Sequence, residues 1–127
     1  MKKILKLLIT LVFILLVSSN CSNAGGIDDA LAKAKKESKV VMLDIGSVGC
    51  IPYDRMRPVM HKLSTNYKGK LEVIFVDIKV DRKTAGKFGV YMIPTQVFLD
   101  KNGKEFQRHI GFFPYEDIVP VLKKAGL

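Results

Sequence analysis

Apolar residues follow two regimes along this chain: one dense run near the start, then short, regularly spaced sets from residue 27 onward. In the second regime, Ile27, Ala30, Leu31 and Ala34 recur at helical spacing, and Asp28 and Asp29 sit where a helix dipole favours acids, so Asp28 to Ser38 is expected to be an amphipathic helix. Val40 to Ile45 is continuous apolar sequence except for Asp44, the pattern of a central strand covered on both faces. The small residues Gly46 to Gly49 make a loop, and Pro52 suits the first turn of a following helix, where no backbone N–H is needed. Met56, Val59, Met60, Leu63 and Tyr67 mark the buried face of that helix, which Pro58 is expected to kink.

A Lys68-Gly69-Lys70 turn leads to a β-branched strand, Leu71 to Ile78, and a short helix over Lys83 to Phe88 ends before Gly89. Thr95 to Leu99 and Glu105 to Ile110 read as a hairpin around Asn102-Gly103, a strong turn signal. Tyr115 to Lys124 reads as a closing helix, against which Pro120 argues. The order helix, strand, helix, strand, helix, hairpin, helix places the first two strands parallel through a right-handed crossover, with the hairpin adding two antiparallel strands. The expected fold is α/β: a mixed four-stranded sheet with helices on both faces.

The dense run changes the picture of where folding starts. Lys2, Lys3 and Lys6 precede Leu7 to Val17, which is shorter than the roughly 20 apolar residues of a permanent membrane span. It fits the core of a signal peptide, residues 1–24, with Ser22 and Ala24 as the small residues before a cut at Gly25. Two alternatives stand beside it: a lipoprotein whose acylated N-terminus is Cys21, and an uncleaved anchor. Residues 25–127 then form one domain of about 100 residues. The expected location is exported, periplasmic or extracytoplasmic.

Charge adds little. Removing three lysines and no acids lowers the formal charge from +9 to +6, and the remaining basic residues are scattered over what reads as a solvated surface. With export and no recognition motif, nucleic acid is not an expected partner. The cysteines are more informative. The chain has two, Cys21 and Cys50, and processing removes or lipidates the first. A single thiol in an oxidising compartment points to reactivity or intermolecular pairing.

Cys50 lies between Gly49 and Ile51-Pro52, on the turn entering a helix, where free N–H groups and the positive end of the dipole favour negative charge on sulfur. A buried inert cysteine is the alternative. Asp44 in an apolar strand costs free energy unless it is paired or protonated, or unless it reaches solvent at the strand's end. Pro94 by itself reads as a strand-entry proline. His61 and His109 read as surface residues, since no Cys or carboxylate spacing completes a metal set. No metal or cofactor is expected.

Val41 to Pro58 resembles the active-site region of the thioredoxins, and Met92-Ile93-Pro94-Thr95 is similar to their cis-proline loop. The likeness extends over nearly all of residues 25–127, and implies a thioredoxin-like fold. It also implies site roles: Cys50 as attacking sulfur, Asp44 as the acid that assists proton transfer, and Gly49, Ile51, Pro52 and Tyr53 as the surrounding motif. Ile93, Pro94, Thr95 and Gly111 would form the docking edge for substrate, with Ile93 offering its backbone to an extended partner. The departure is Cys50-Ile51-Pro52-Tyr53, in which Tyr53 replaces the second cysteine that releases product in the family's dithiol cycle. Gly49 stands where many thioredoxins have tryptophan.

The resemblance therefore implies a member of the thiol–disulfide oxidoreductases acting as a monothiol. Its partners would be protein or small-molecule thiols and disulfides, and an external thiol would complete the cycle. The alternatives are a redox-inactive module that binds polypeptide in the same cleft, and a homodimer linked through Cys50.

Overall fold

A computed structural model describes Met1 and residues 26–127. The signal-peptide reading and the Cys21 alternative lie outside the described residues. Eight elements follow in order: α1 (Ile27–Lys36), β1 (Val40–Gly46), α2 (Ile51–Asn66), β2 (Leu71–Asp77), α3 (Arg82–Lys87), β3 (Thr95–Leu99), β4 (Glu105–Ile110) and α4 (Tyr115–Lys124). The sheet order is β2-β1-β3-β4, with β1 and β2 parallel and the other two pairings antiparallel. The expected mixed four-stranded sheet flanked by helices is the fold found.

Every residue of β1 is buried, as its continuous apolar sequence requires of a strand covered on both faces. Alternation then sorts its side chains into two cores. Val40 and Met42 join Met56 and Leu63 of α2, Phe98 of β3 and Ile118 and Leu122 of α4 on one face. Val41, Leu43 and Ile45 join Ala34 of α1, Ala85 of α3 and Val97 and Leu99 of β3 on the other. Asp44 has even parity, so it points into the layer beneath α2, the helix that begins just after Cys50.

Several local expectations are corrected. Helix α1 ends at Lys36, two residues before the expected Ser38, which adopts φ 54° in the turn to β1. Strand β1 takes in Gly46, β2 stops at Asp77, and α3 lies one residue earlier than read, at Arg82–Lys87. Pro120 does not prevent the closing helix: it sits inside α4 and is exposed, as Pro58 is inside α2, so the missing N–H falls where the freed carbonyl can reach water. The hairpin turn is built by Asp100, whose Oδ1 accepts from the N–H groups of Asn102 (2.8 Å) and Lys104 (3.0 Å), while Gly103 takes φ 81°. His109 is half-buried: its ring stacks on Phe113 with centroids 3.9 Å apart, and Nε2 donates to the Phe112 carbonyl at 3.2 Å.

Candidate functional site

The site forms where β1 ends and α2 begins. Ser47 is buried, and its carbonyl accepts from the Cys50 N–H at 3.3 Å, closing a tight turn in which Gly49 adopts φ 86°. That left-handed backbone favours glycine and gives a local reason for Gly49 at this position. Cys50 is the N-cap residue of α2, extended at φ −94° and ψ 141°, and Asp54 N–H bonds to its carbonyl at 3.2 Å. Cys50 is an exposed residue, which removes the reading of it as a buried core residue. Pro52 stands in the first turn, as its ring geometry favours. Lys79 donates from Nζ to the Val48 carbonyl at 3.0 Å and fastens this loop to the end of β2.

The second half of the site comes from the segment before β3. The Ile93–Pro94 peptide bond is cis. Thr95 is buried and donates its hydroxyl to the Met92 carbonyl at 2.5 Å, and the Gly111 N–H donates to the Pro94 carbonyl at 2.8 Å. These two residues hold the loop, whereas Ile93 and Pro94 line the cleft itself. Neither the N–H nor the carbonyl of Ile93 pairs with another backbone group among the described residues. Arg108 supports the approach to this loop by donating to the Phe88 carbonyl at 2.8 Å while paired to Glu105.

Between the two halves lies a cleft of about 150 Å³ lined by Asp44, Gly46, Ser47, Cys50, Pro52, Tyr53, Ile93 and Pro94. Asp44 is 0% exposed, so it does not reach solvent at the strand's end. Its cross-strand neighbours are Phe75 on β2 and Gln96 on β3. Phe75 offers no polar group and instead packs against Tyr53, ring centroids 4.5 Å apart. Gln96, also fully buried, donates from Nε2 to Asp44 Oδ1 at 2.8 Å. Burial pushes Asp44 up from 3.8 to about 6, with the Gln96 hydrogen bond opposing the rise.

Of the residues singled out from sequence, Asp44, Cys50, Pro52, Tyr53, Ile93 and Pro94 meet at one cleft. Ile51, next to Cys50, is exposed, as are Tyr91 and Met92 just before Ile93. Gly49, Thr95 and Gly111 shape the walls of the cleft. Sequence reading missed Gln96, Phe75 and Lys79. A signal for Gln96 was present: it is a long polar side chain in a strand segment that continues as the apolar run Val97 to Leu99, two residues after Pro94. Among the described residues, no three His, Cys, Asp or Glu side chains gather as a metal set.

The family model for the thioredoxin-like domain matches residues 27–126. Thioredoxin of Staphylococcus aureus is 33% identical over 98 residues, covering 77% of this chain and 93% of that protein. Among solved structures, Fasciola hepatica thioredoxin superposes with a TM-score of 0.68 at 21% identity, covering 78% of this chain and 90% of that one. A Nicotiana alata thioredoxin gives 0.67 at 24% identity, covering 77% and 83%. At those identities the two structures speak for the fold alone.

Proposed function

The chain belongs to the thioredoxin-like family, whose proteins act on thiols and disulfides of other proteins, and from that premise we propose that it works as a monothiol through Cys50. One observation carries the reading: exposed Cys50 stands at the N-cap position of α2 in a cleft shared with Asp44 and Ile93-Pro94, and the residue one helical turn on is Tyr53. The Cys50 thiolate attacks a partner disulfide. A bond forms between Cys50 Sγ and one partner sulfur, the partner's own S–S bond breaks, and the second partner sulfur leaves as a thiolate that takes up a proton. Asp44 is the group placed to accept the proton from Cys50 and return it. An external thiol then attacks the mixed disulfide, carries the partner sulfur away in a new disulfide, and leaves Cys50 reduced.

The unpaired backbone of Ile93 and the exposed side chains of its chain neighbours Tyr91 and Met92 and of Ile51 beside Cys50 supply a docking surface for an extended polypeptide. That surface also favours the second reading, a binding module without turnover. The basic start, the apolar run Leu7 to Val17 and the small residues Ser22 and Ala24 support export of residues 25–127.

The test uses a Cys21→Ser background, in which Cys50 is the sole thiol. Exposure to oxidised glutathione should give one mixed disulfide by intact mass, stable until reduced glutathione is added, and none when Cys50 is also Ser. Absence of any adduct in the native protein, with adduct formation only in denaturant, would leave the binding module as the better account.

A further inference from the structure

Resting on that reading of Cys50 and Asp44, we propose that Gln96 is a positioning residue of the site. Its side-chain amide holds one oxygen of Asp44 through Nε2, leaves the other free for proton exchange in the cleft, and offers Oε1 as acceptor when that oxygen carries the proton, so that it partners the carboxyl in both its ionised and its protonated form.

The geometry supplies the argument. Asp44 and Gln96 are directly opposed on neighbouring strands and are both fully buried, so neither side chain sits in bulk solvent. Gln96 Nε2 engages Asp44 Oδ1, while Asp44 Oδ2 and Gln96 Oε1 have no partner among the described residues. Two buried acceptors without a donor are costly, and the arrangement is one proton short of satisfaction. A proton on Asp44 supplies the missing donor. A carboxyl O–H at Oδ2 can donate to Gln96 Oε1 while Nε2 keeps its bond to Oδ1, because an amide presents a donor and an acceptor side by side. Glutamine therefore suits an acid that must gain and lose a proton, where a lysine or an apolar residue would suit one state only.

Other groups do not compete for this role. From α2, Cys50 and Tyr53 share the cleft, and Arg55 lies over the Phe112 ring, 4.2 Å from its centroid. From β2, the neighbour is Phe75, and Asp77 at the strand's end accepts from the Lys79 N–H at 3.0 Å. From β4, His109 is the cross-strand neighbour of Gln96 and is committed to the Phe112 carbonyl. None of these hydrogen-bonds to Asp44.

The experiment needs no variant for its first arm. In the Cys21→Ser full-length protein, NMR should show the Gln96 side-chain NH₂ signals changing with pH at the same midpoint as the Asp44 carboxyl carbon, assigned by its loss in Asp44→Asn. In the second arm, Gln96→Met keeps length and removes the amide. The Asp44 midpoint should move up by about one pH unit, a tenfold change in proton concentration, because the ionised form loses its donor. The pH profile of Cys50 alkylation by iodoacetamide should show a step that moves with it. Gln96→Glu should give two titration steps from a shared proton. Gln96 signals indifferent to the Asp44 titration, or an unmoved midpoint in Gln96→Met, would overturn the proposal. A moved midpoint with an unmoved alkylation profile would also overturn it, since Gln96 would then serve Asp44 but not the thiol. Mixed-disulfide formation by the unsubstituted Gln96 protein is scored separately, so failure of the monothiol reading is distinguishable from failure of this one.

Discussion

Replacing Asp44 by Asn should make the protein more stable at neutral pH while impairing its thiol chemistry, and the gain can be estimated from the site. In the folded chain the carboxyl is pushed from 3.8 to about 6 by burial. The unfolded chain keeps the ordinary value. Between those two pH values the folded state holds a proton that the unfolded state has released. The stabilising contribution of the protonated acid is therefore complete below about pH 3.8, declines as pH rises, and is lost above about pH 6. A separation of about 2 pH units corresponds to about 3 kcal/mol. Asparagine carries no charge to desolvate. Its carbonyl can still accept from Gln96 Nε2, and its own NH₂ can supply Gln96 Oε1, one of the two buried oxygens left without a partner. Urea unfolding should find Asp44→Asn within about 1 kcal/mol of the unsubstituted protein at pH 4, and about 3 kcal/mol more stable at pH 8. At that pH the midpoint should lie roughly 1–3 M urea higher. A stability difference that does not vary with pH, or a less stable variant at pH 8, would refute the claim that an ionised Asp44 is held in the fold at a cost. A residue that lowers stability at working pH is the pattern expected of a functional acid rather than a structural one.

Tyr53→Cys should create a resolving thiol one turn from Cys50. At an effective concentration on the order of mM, it should clear the mixed disulfide at least about 10-fold faster than 0.1 mM external thiol, followed by stopped-assay mass spectrometry. Tyr53→Ser should speed alkylation of Cys50 without restoring clearance, because it opens the cleft beside Phe75 but adds no sulfur. Phe98→Ala should cost about 3–5 kcal/mol in urea unfolding, since that ring is fully buried in the core beneath α2 and α4; a loss below about 1 kcal/mol would show that the core refills. The mature protein recovered from an exporting host should begin at Gly25 by mass spectrometry, and an acylated Cys21 at the N-terminus would instead establish the lipoprotein alternative.

Much of this architecture follows from local pattern, because periodicity and turn chemistry act over a few neighbouring residues. The run Val40 to Ile45 could be a strand buried on both sides, and Asn102-Gly103 could be little other than a hairpin turn. Cys50 before Ile51-Pro52 identified a thiol at a helix start for the same reason: the small-residue loop, the cap and the proline all lie between Gly46 and Pro52. Element ends were less legible where tertiary contacts set them. Ser38 lies beyond the helix it was expected to close because the chain there must turn immediately into β1.

The pairing of distant residues was decided only by the folded chain. Nothing local to Asp44 says that Gln96, 52 positions away, will oppose it, because strand register is chosen by how two whole faces bury their apolar side chains. The same register sets Phe75 on the other side of Asp44, where it meets Tyr53 rather than the carboxyl. It also stacks half-buried His109 on Phe113. The sequence determined which residues could do chemistry and on which kind of element each would stand. Whether Asp44 would be solvated or buried, and what would hold it, depended on the environment that long-range packing creates, since burial and hydrogen bonding govern a carboxyl's charge and neither is a property of its sequence neighbours.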